Sequence, residues 1–193
     1  MKLFKLVAAA PLALLIVSSA SAQLFSDNFE SGLGQWSTVG SGYTTQDPFN
    51  ASNNVLAFAG LGSGGDIFSH TLSFIPGQNY VLSTDYLGLG QAVGGVGGFL
   101  GIDVAGEHWE MGGDGYPAPV ALVDDGAWHH YTYTFTAGDT SGDVKAEQFA
   151  GSPGAIPGNV FFDNVKVQAV PEPCSMLALG GGALALIRRR RAR

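Results

Sequence analysis

The run Trp128 to Thr136, WHHYTYTFT, alternates without a break. Tyr131, Tyr133 and Phe135 fall on one face, and threonines fall on the other. A period of two places alternate side chains on opposite sides of an extended backbone, which excludes a helix here and predicts a half-buried strand. Asn79 to Tyr86 repeats the pattern, with Tyr80, Leu82 and Thr84 opposite Val81, Ser83 and Asp85. Asp66 to Phe74 puts Phe68, His70, Leu72 and Phe74 on one side. Val160 to Val167 is richer in apolar residues, as expected where both faces are covered. Shorter strands are predicted at Leu24 to Phe29, Val55 to Ala59, Phe99 to Val104, His108 to Met111 and Val144 to Phe149.

Turn dipeptides separate these runs: Pro76-Gly77, Asp114-Gly115, Asp125-Gly126, Ser141-Gly142 and Pro157-Gly158. No stretch between residues 23 and 169 carries a 3.6-residue apolar period. Many short strands punctuated in this way predict an all-β, antiparallel β-sandwich of the jelly-roll kind. The glycine-rich run from Gly88 to Gly101 lacks the helix and lysine of a phosphate loop, and it reads as a mobile loop or a weakly specified hairpin.

The two ends have a different character. Lys2 and Lys5 precede an apolar run from Leu6 to Val17, and Ala20-Ser21-Ala22 supplies the small residues that signal peptidase requires. This predicts a secretory signal over 1–22, with a helical apolar core, cut between Ala22 and Gln23. At the other end, Val170-Pro171-Glu172-Pro173 leads into an apolar segment, 175–187. Arg188, Arg189, Arg190, Arg191 and Arg193 close the chain. Thirteen helical residues reach only about 20 Å against a hydrocarbon core of ~30 Å, so flanking residues and snorkelling arginines must complete any span. The arginines place this end on the cytoplasmic side.

The tail over 170–193 resembles the PEP-CTERM sorting signal in motif, short transmembrane helix and terminal arginine cluster. That resemblance implies recognition by the membrane protease exosortase and removal near the motif. It also implies a Gram-negative bacterium that makes exopolysaccharide. Cys174 departs from the family, which more often has a small or hydroxyl residue there.

The segment 23–169 is one domain in length, and its charge is one-sided. Two lysines, Lys145 and Lys166, stand against 15 carboxylates, a net of −13 compared with −7 for the whole chain. Nucleic acid is excluded as a partner, because it requires a basic footprint. The only cysteine, Cys174, lies in the tail, so no disulfide can brace the domain.

Within the domain, Phe25-Ser-Asp-Asn-Phe29-Glu30 with Gly34-Gln35-Trp36, Gly126-Ala127-Trp128, and Phe161-Phe162-Asp163-Asn164-Val165 are similar to segments of jelly-roll carbohydrate-binding modules and their galactose-binding-like relatives. That resemblance implies a structural calcium between the first and last strands, with Glu30 and Asp163 as its carboxylates, since calcium takes hard oxygen ligands. For sugar stacking, Trp109 and Tyr116 are the candidates, amid Glu107, His108, Glu110 and Asp114, with Tyr43 as a further aromatic. Trp36 and Trp128 are expected in the core. His70 is expected to be half-buried on an apolar face. His129 and His130, adjacent on a strand, are expected on opposite faces, which disfavours a shared metal.

No catalytic motif is present, and Glu107 and Glu110, three apart on a strand, would fall on opposite faces. The sequence therefore reads as a non-enzyme. It is expected at the cell surface or in an exopolysaccharide (biofilm) matrix after transient residence in the inner membrane, with a structural or adhesive role. A carbohydrate-binding module with specific glycan affinity is the alternative, and a small polysaccharide-active enzyme the second.

Overall fold

The computed structural model describes residues 22–59, 66–89, 96–104, 109–113, 117–150 and 159–171. Ser21–Val170 form one compact unit. Signal residue Ala20, Glu172 and Pro173 of the motif, the segment 175–187 and the terminal arginines lie outside the described residues, as do Glu107, His108, Asp114 and Tyr116. Among the described residues, no helix is long and apolar enough to cross a membrane.

Thirteen strands follow one another: β1 (Gln23–Asp27), β2 (Trp36–Thr38), β3 (Gly42–Asp47), β4 (Asn50–Phe58), β5 (Ile67–Ser69), β6 (Leu72–Ser73), β7 (Asn79–Gly88), β8 (Val96–Asp103), β9 (Met111–Gly112), β10 (Val120–Ala121), β11 (His129–Thr136), β12 (Ser141–Ala150) and β13 (Val160–Ala169). They build two sheets. In the first, the order is β11-β7-β13-β4-β3, with β1 also pairing β13. In the second, it is β10-β9-β8-β12-β5-β2, with β6 also pairing β12. All pairings are antiparallel except β9 with β10. The chain is thus a β-sandwich.

Alternation explains which face each strand buries. Tyr80, Leu82 and Tyr86 of β7, Leu56 and Phe58 of β4, and Phe162, Val165 and Val167 of β13 meet Leu100, Ile102, Val144 and Ala146 of the second sheet in one core. Tyr131, Tyr133 and Phe135 pack against it as their spacing requires. β11 pairs with β7 in unbroken register from His129↔Tyr86 to Thr136↔Asn79.

Four expectations are corrected. Asp66 to Phe74 is two strands, because the Ser69 hydroxyl interrupts the ladder: it accepts from the Val144 amide at 2.9 Å and donates to the His70 carbonyl at 2.9 Å. His70, just past that break, is exposed and not half-buried. Ser141-Gly142 is not a turn but the start of β12, where a side chain on Gly142 would run into the Asp103 backbone. In the glycine-rich run, Gly88 ends β7 and 96–101 belong to β8, while 90–95 lie outside the described residues.

The opening motif is held by one carboxylate. Asp27 is 5% exposed; its Oδ1 accepts the Phe29 amide at 2.8 Å and its Oδ2 the Trp36 indole N–H at 2.8 Å. Trp36, in the core as expected, stacks on Phe29 with ring centroids 6.0 Å apart.

Candidate functional site

Successive residues of a strand point to opposite faces, so the outward residues of the first sheet follow from the core list. Val55 and Ala57 of β4, Leu87 of β7 and Phe161 of β13 make a second, smaller apolar cluster on that outer face. Trp128, just before β11, packs against it half-buried. Its indole N–H donates to Asp47 Oδ1 at 3.2 Å, at the tip of the β3–β4 hairpin. Between hairpin and tryptophan lies a cleft of about 360 Å³, lined by Asp47, Asn53, Asp85, Trp128, His129, His130 and Asp163.

A β-bulge shapes the polar side of this cleft. The β13–β7 register shifts between Asp163 and Lys166, and Asn164 there has a φ of 51°. Asparagine tolerates this left-handed conformation better than most residues. The Thr84 hydroxyl, buried on β7, donates to the Asp163 carbonyl at 3.1 Å and so satisfies backbone displaced by the bulge. Asn164 Nδ2 donates to Asp85 Oδ2 at 2.8 Å, and His130 Nδ1 lies 2.6 Å from Asp85 Oδ1. Asn53 Nδ2 donates to Asp163 Oδ2 at 3.0 Å, and the Asn164 amide to Asp163 Oδ1 at 2.7 Å.

Burial pushes the Asp163 carboxyl above the usual carboxylate range, and the charges of Asp85 and Glu30 add to the rise. His129 instead bonds Asp125, at 2.9 Å, and lowers that carboxyl. Both histidines line the cleft.

Glu30 and Asp163 are thus near enough to influence each other. Each, however, holds a different asparagine of β4: Glu30 accepts the Asn54 backbone amide and Nδ2, both at 3.0 Å. All four carboxylate oxygens of the pair face N–H donors, which calcium cannot use as ligands. Among the described residues, no group of three or more His, Cys, Asp or Glu side chains is arranged to hold a metal. As placed, each of the four oxygens is engaged by an N–H group of the chain itself.

The aromatics are distributed differently from the sequence expectation. Trp128, assigned to the core, forms a wall of the cleft. Trp109, expected to stack on sugar, is on the other sheet: its ring lies 4.5 Å from Lys145 Nζ and 5.7 Å from the Phe99 ring. Lys145 is 2% exposed and Glu110 7%. Burial pushes the Glu110 carboxyl up to about 7, against an opposing hydrogen bond from the Ile102 amide and the charge of Lys145. Tyr43, cross-strand partner of Ala57, is exposed. The signal that could have marked the cleft is Gly126-Ala127-Trp128, a turn that lifts a tryptophan off the strand it precedes.

No protein-family model and no curated protein matches the chain. Solved structures do share its architecture. The K3 cleaved adhesin domain of Lys-gingipain from Porphyromonas gingivalis is 16% identical, covering 77% of this chain and 99% of that one, with a TM-score of 0.51. The CBM22-1–GH10 modules of a Clostridium thermocellum endo-1,4-β-D-xylanase, complexed with xylohexaose, are 15% identical over 78% of this chain and 29% of that one, at 0.51. The tandem CBM22 domains of a Paenibacillus barcinonensis xylanase are 14% identical over 81% and 48%, at 0.50. At such identities the likeness shows the fold: a β-sandwich of the kind built by carbohydrate-binding modules and cleaved adhesin domains.

Proposed function

We propose that the chain is a non-catalytic carbohydrate-binding module of jelly-roll course, and that the cleft on the outer face of the first sheet is its glycan site. One observation carries this reading: Trp128, seated on the buried apolar cluster, shares a cleft with a row of hydrogen-bonding groups, Asp85, Asp163, Asn53 and His130. A pyranose presents apolar C–H faces and a rim of hydroxyls. It is matched by an aromatic wall with polar groups at its edge. The fold supports the same reading, since a xylanase containing CBM22 with this architecture was solved with xylohexaose bound.

We also propose export and sorting by the terminal segments. The mature domain then reaches the cell surface or the exopolysaccharide matrix, where glycan contact gives it an adhesive or structural role. Deleting 171–193 is expected to abolish surface delivery while leaving the β-sandwich folded. Unchanged delivery would remove exosortase from the account.

The binding test is a glycan array spanning neutral, acidic and amino polysaccharides, run with the full chain. Binding to at least one class is expected, lost in Trp128→Ala and kept in Trp109→Ala. Trp128→Leu, which keeps apolar packing on the cluster but has no aromatic face, separates loss of stacking from loss of fold. Binding to no class by a folded protein would overturn the reading.

A further inference from the structure

The cleft has carboxylates on several strands and no fixed cation. Asp85 comes from β7, Asp163 from β13 and Asp47 from β3, with Glu30 and Asp125 just outside. The domain contains only two lysines and no arginine between residues 23 and 169, so no other part of it can supply the missing charge. Lys145 is buried beside Trp109 on the second sheet. Lys166 stands in register with Ser83 and Ser26 and makes no ion pair among the described residues. Asp85 and Asp163 are direct cross-strand partners, and like charges in that relation repel. Only the asparagines and His130 offset them, and His129 is engaged by Asp125.

Such a cleft discriminates among glycans by charge. A uronate or sulfate ester would meet carboxylates. A neutral sugar would gain hydrogen bonds to its hydroxyls from them but no charge attraction. An ammonium group would be attracted at close range, and the adjoining indole face of Trp128 also favours cations. We propose that the cleft selects amino sugars with free amines, that is, polysaccharides containing de-N-acetylated hexosamine. This rests on the carbohydrate-binding reading above and specifies its ligand class.

The test measures affinity of the full chain at pH 6 for four probes: a glucosamine hexamer, its fully N-acetylated counterpart, an oligogalacturonate of equal length, and oligolysine. The glucosamine hexamer is expected to bind at least about tenfold tighter than the acetylated one, with the advantage shrinking at 0.5 M salt. Asp85→Asn with Asp163→Asn should erase that advantage, and Asp47→Asn alone should reduce it should the double variant fail to fold. Equal binding of the two hexamers, or preference for the uronate, would overturn the charge selection while leaving carbohydrate binding intact. Oligolysine binding as tightly as the glucosamine hexamer would also overturn it, because charge without sugar would then suffice. Binding of none of the three glycans would overturn the amino-sugar assignment, and the glycan array would then decide whether the carbohydrate reading falls with it.

Discussion

Asp163 on β13 lies directly across the ladder from Asp85 on β7. Two carboxylates in this relation raise the free energy of the folded state once both ionise, and burial of Asp163 adds to it. In the unfolded chain Asp163 releases its proton near 3.9, and in the folded chain at a higher pH. Stability associated with the neutral acid is therefore full below about 3.9 and is lost as pH rises to the folded value. Asp163→Asn should flatten that part of the profile. Urea midpoints at pH 3.5 and pH 7 are expected to fall less in the variant than in the parent. Equal falls would show that the pair carries no electrostatic strain.

Glu110 obeys the same sign on the other sheet. Its carboxyl is raised from 4.5 to about 7, facing Lys145 and Asp103. The folded state holds this proton across that window and the unfolded state does not, so stability declines between pH 4.5 and 7 by no more than about 3 kcal/mol before solvent screening is discounted. Glu110→Gln keeps an acceptor for the Ile102 amide and removes the titration. The parent should lose urea resistance between pH 5 and pH 8 relative to the variant.

Asp27 joins the first strand to the core through Trp36 and Phe29. Replacing it with alanine leaves the buried indole N–H without its acceptor and should cost about 2–3 kcal/mol. Chemical denaturation of Asp27→Ala measures this. Trp36→Phe in the same background should cost less than in the parent, because the N–H it removes is already unpaired.

Gly98 of β8 is set against the rings of Tyr86 and Phe162 and against Val160, and its amide donates to the Tyr86 hydroxyl at 3.0 Å. An added methyl at Gly98→Ala has nowhere to go, so a loss of about 1–3 kcal/mol is expected. An unchanged thermal midpoint would mean that the two sheets part more easily there than their packing implies.

Chelation provides an independent check on the first and last strands. With the carboxylates of Glu30 and Asp163 held by N–H groups of Asn53, Asn54 and Asn164, the thermal midpoint should be the same with and without a calcium chelator. A fall of several degrees would show that the fold binds calcium.

The long alternating strands were legible because each encodes its own burial. β7, β11 and β13 begin and end close to where period two begins and ends. The short strands β2, β3 and β10 were not, since Trp36–Thr38 and Val120–Ala121 are too brief to show a period and Gly42–Asp47 is polar on both sides. The cleft was only half legible. Asp163 was singled out, but its partner Asp85 read as the outward residue of an ordinary strand, and Trp128 as core. Which strand lies beside which, and hence which carboxylates meet, depends on a strand order that local pattern does not contain.

The bulge at Asn164 has one more implication. Excising that residue from β13 would leave Phe162, Val165 and Val167 still facing inward, because the three-residue gap between the first two would become the regular two. The ladder with β7 would simply become continuous. The interior therefore has no use for Asn164, and the kink it imposes serves only the solvent side, where its amide steadies Asp85. On the proposed carbohydrate-binding reading, an irregularity that the core does not require belongs to the surface that meets the glycan.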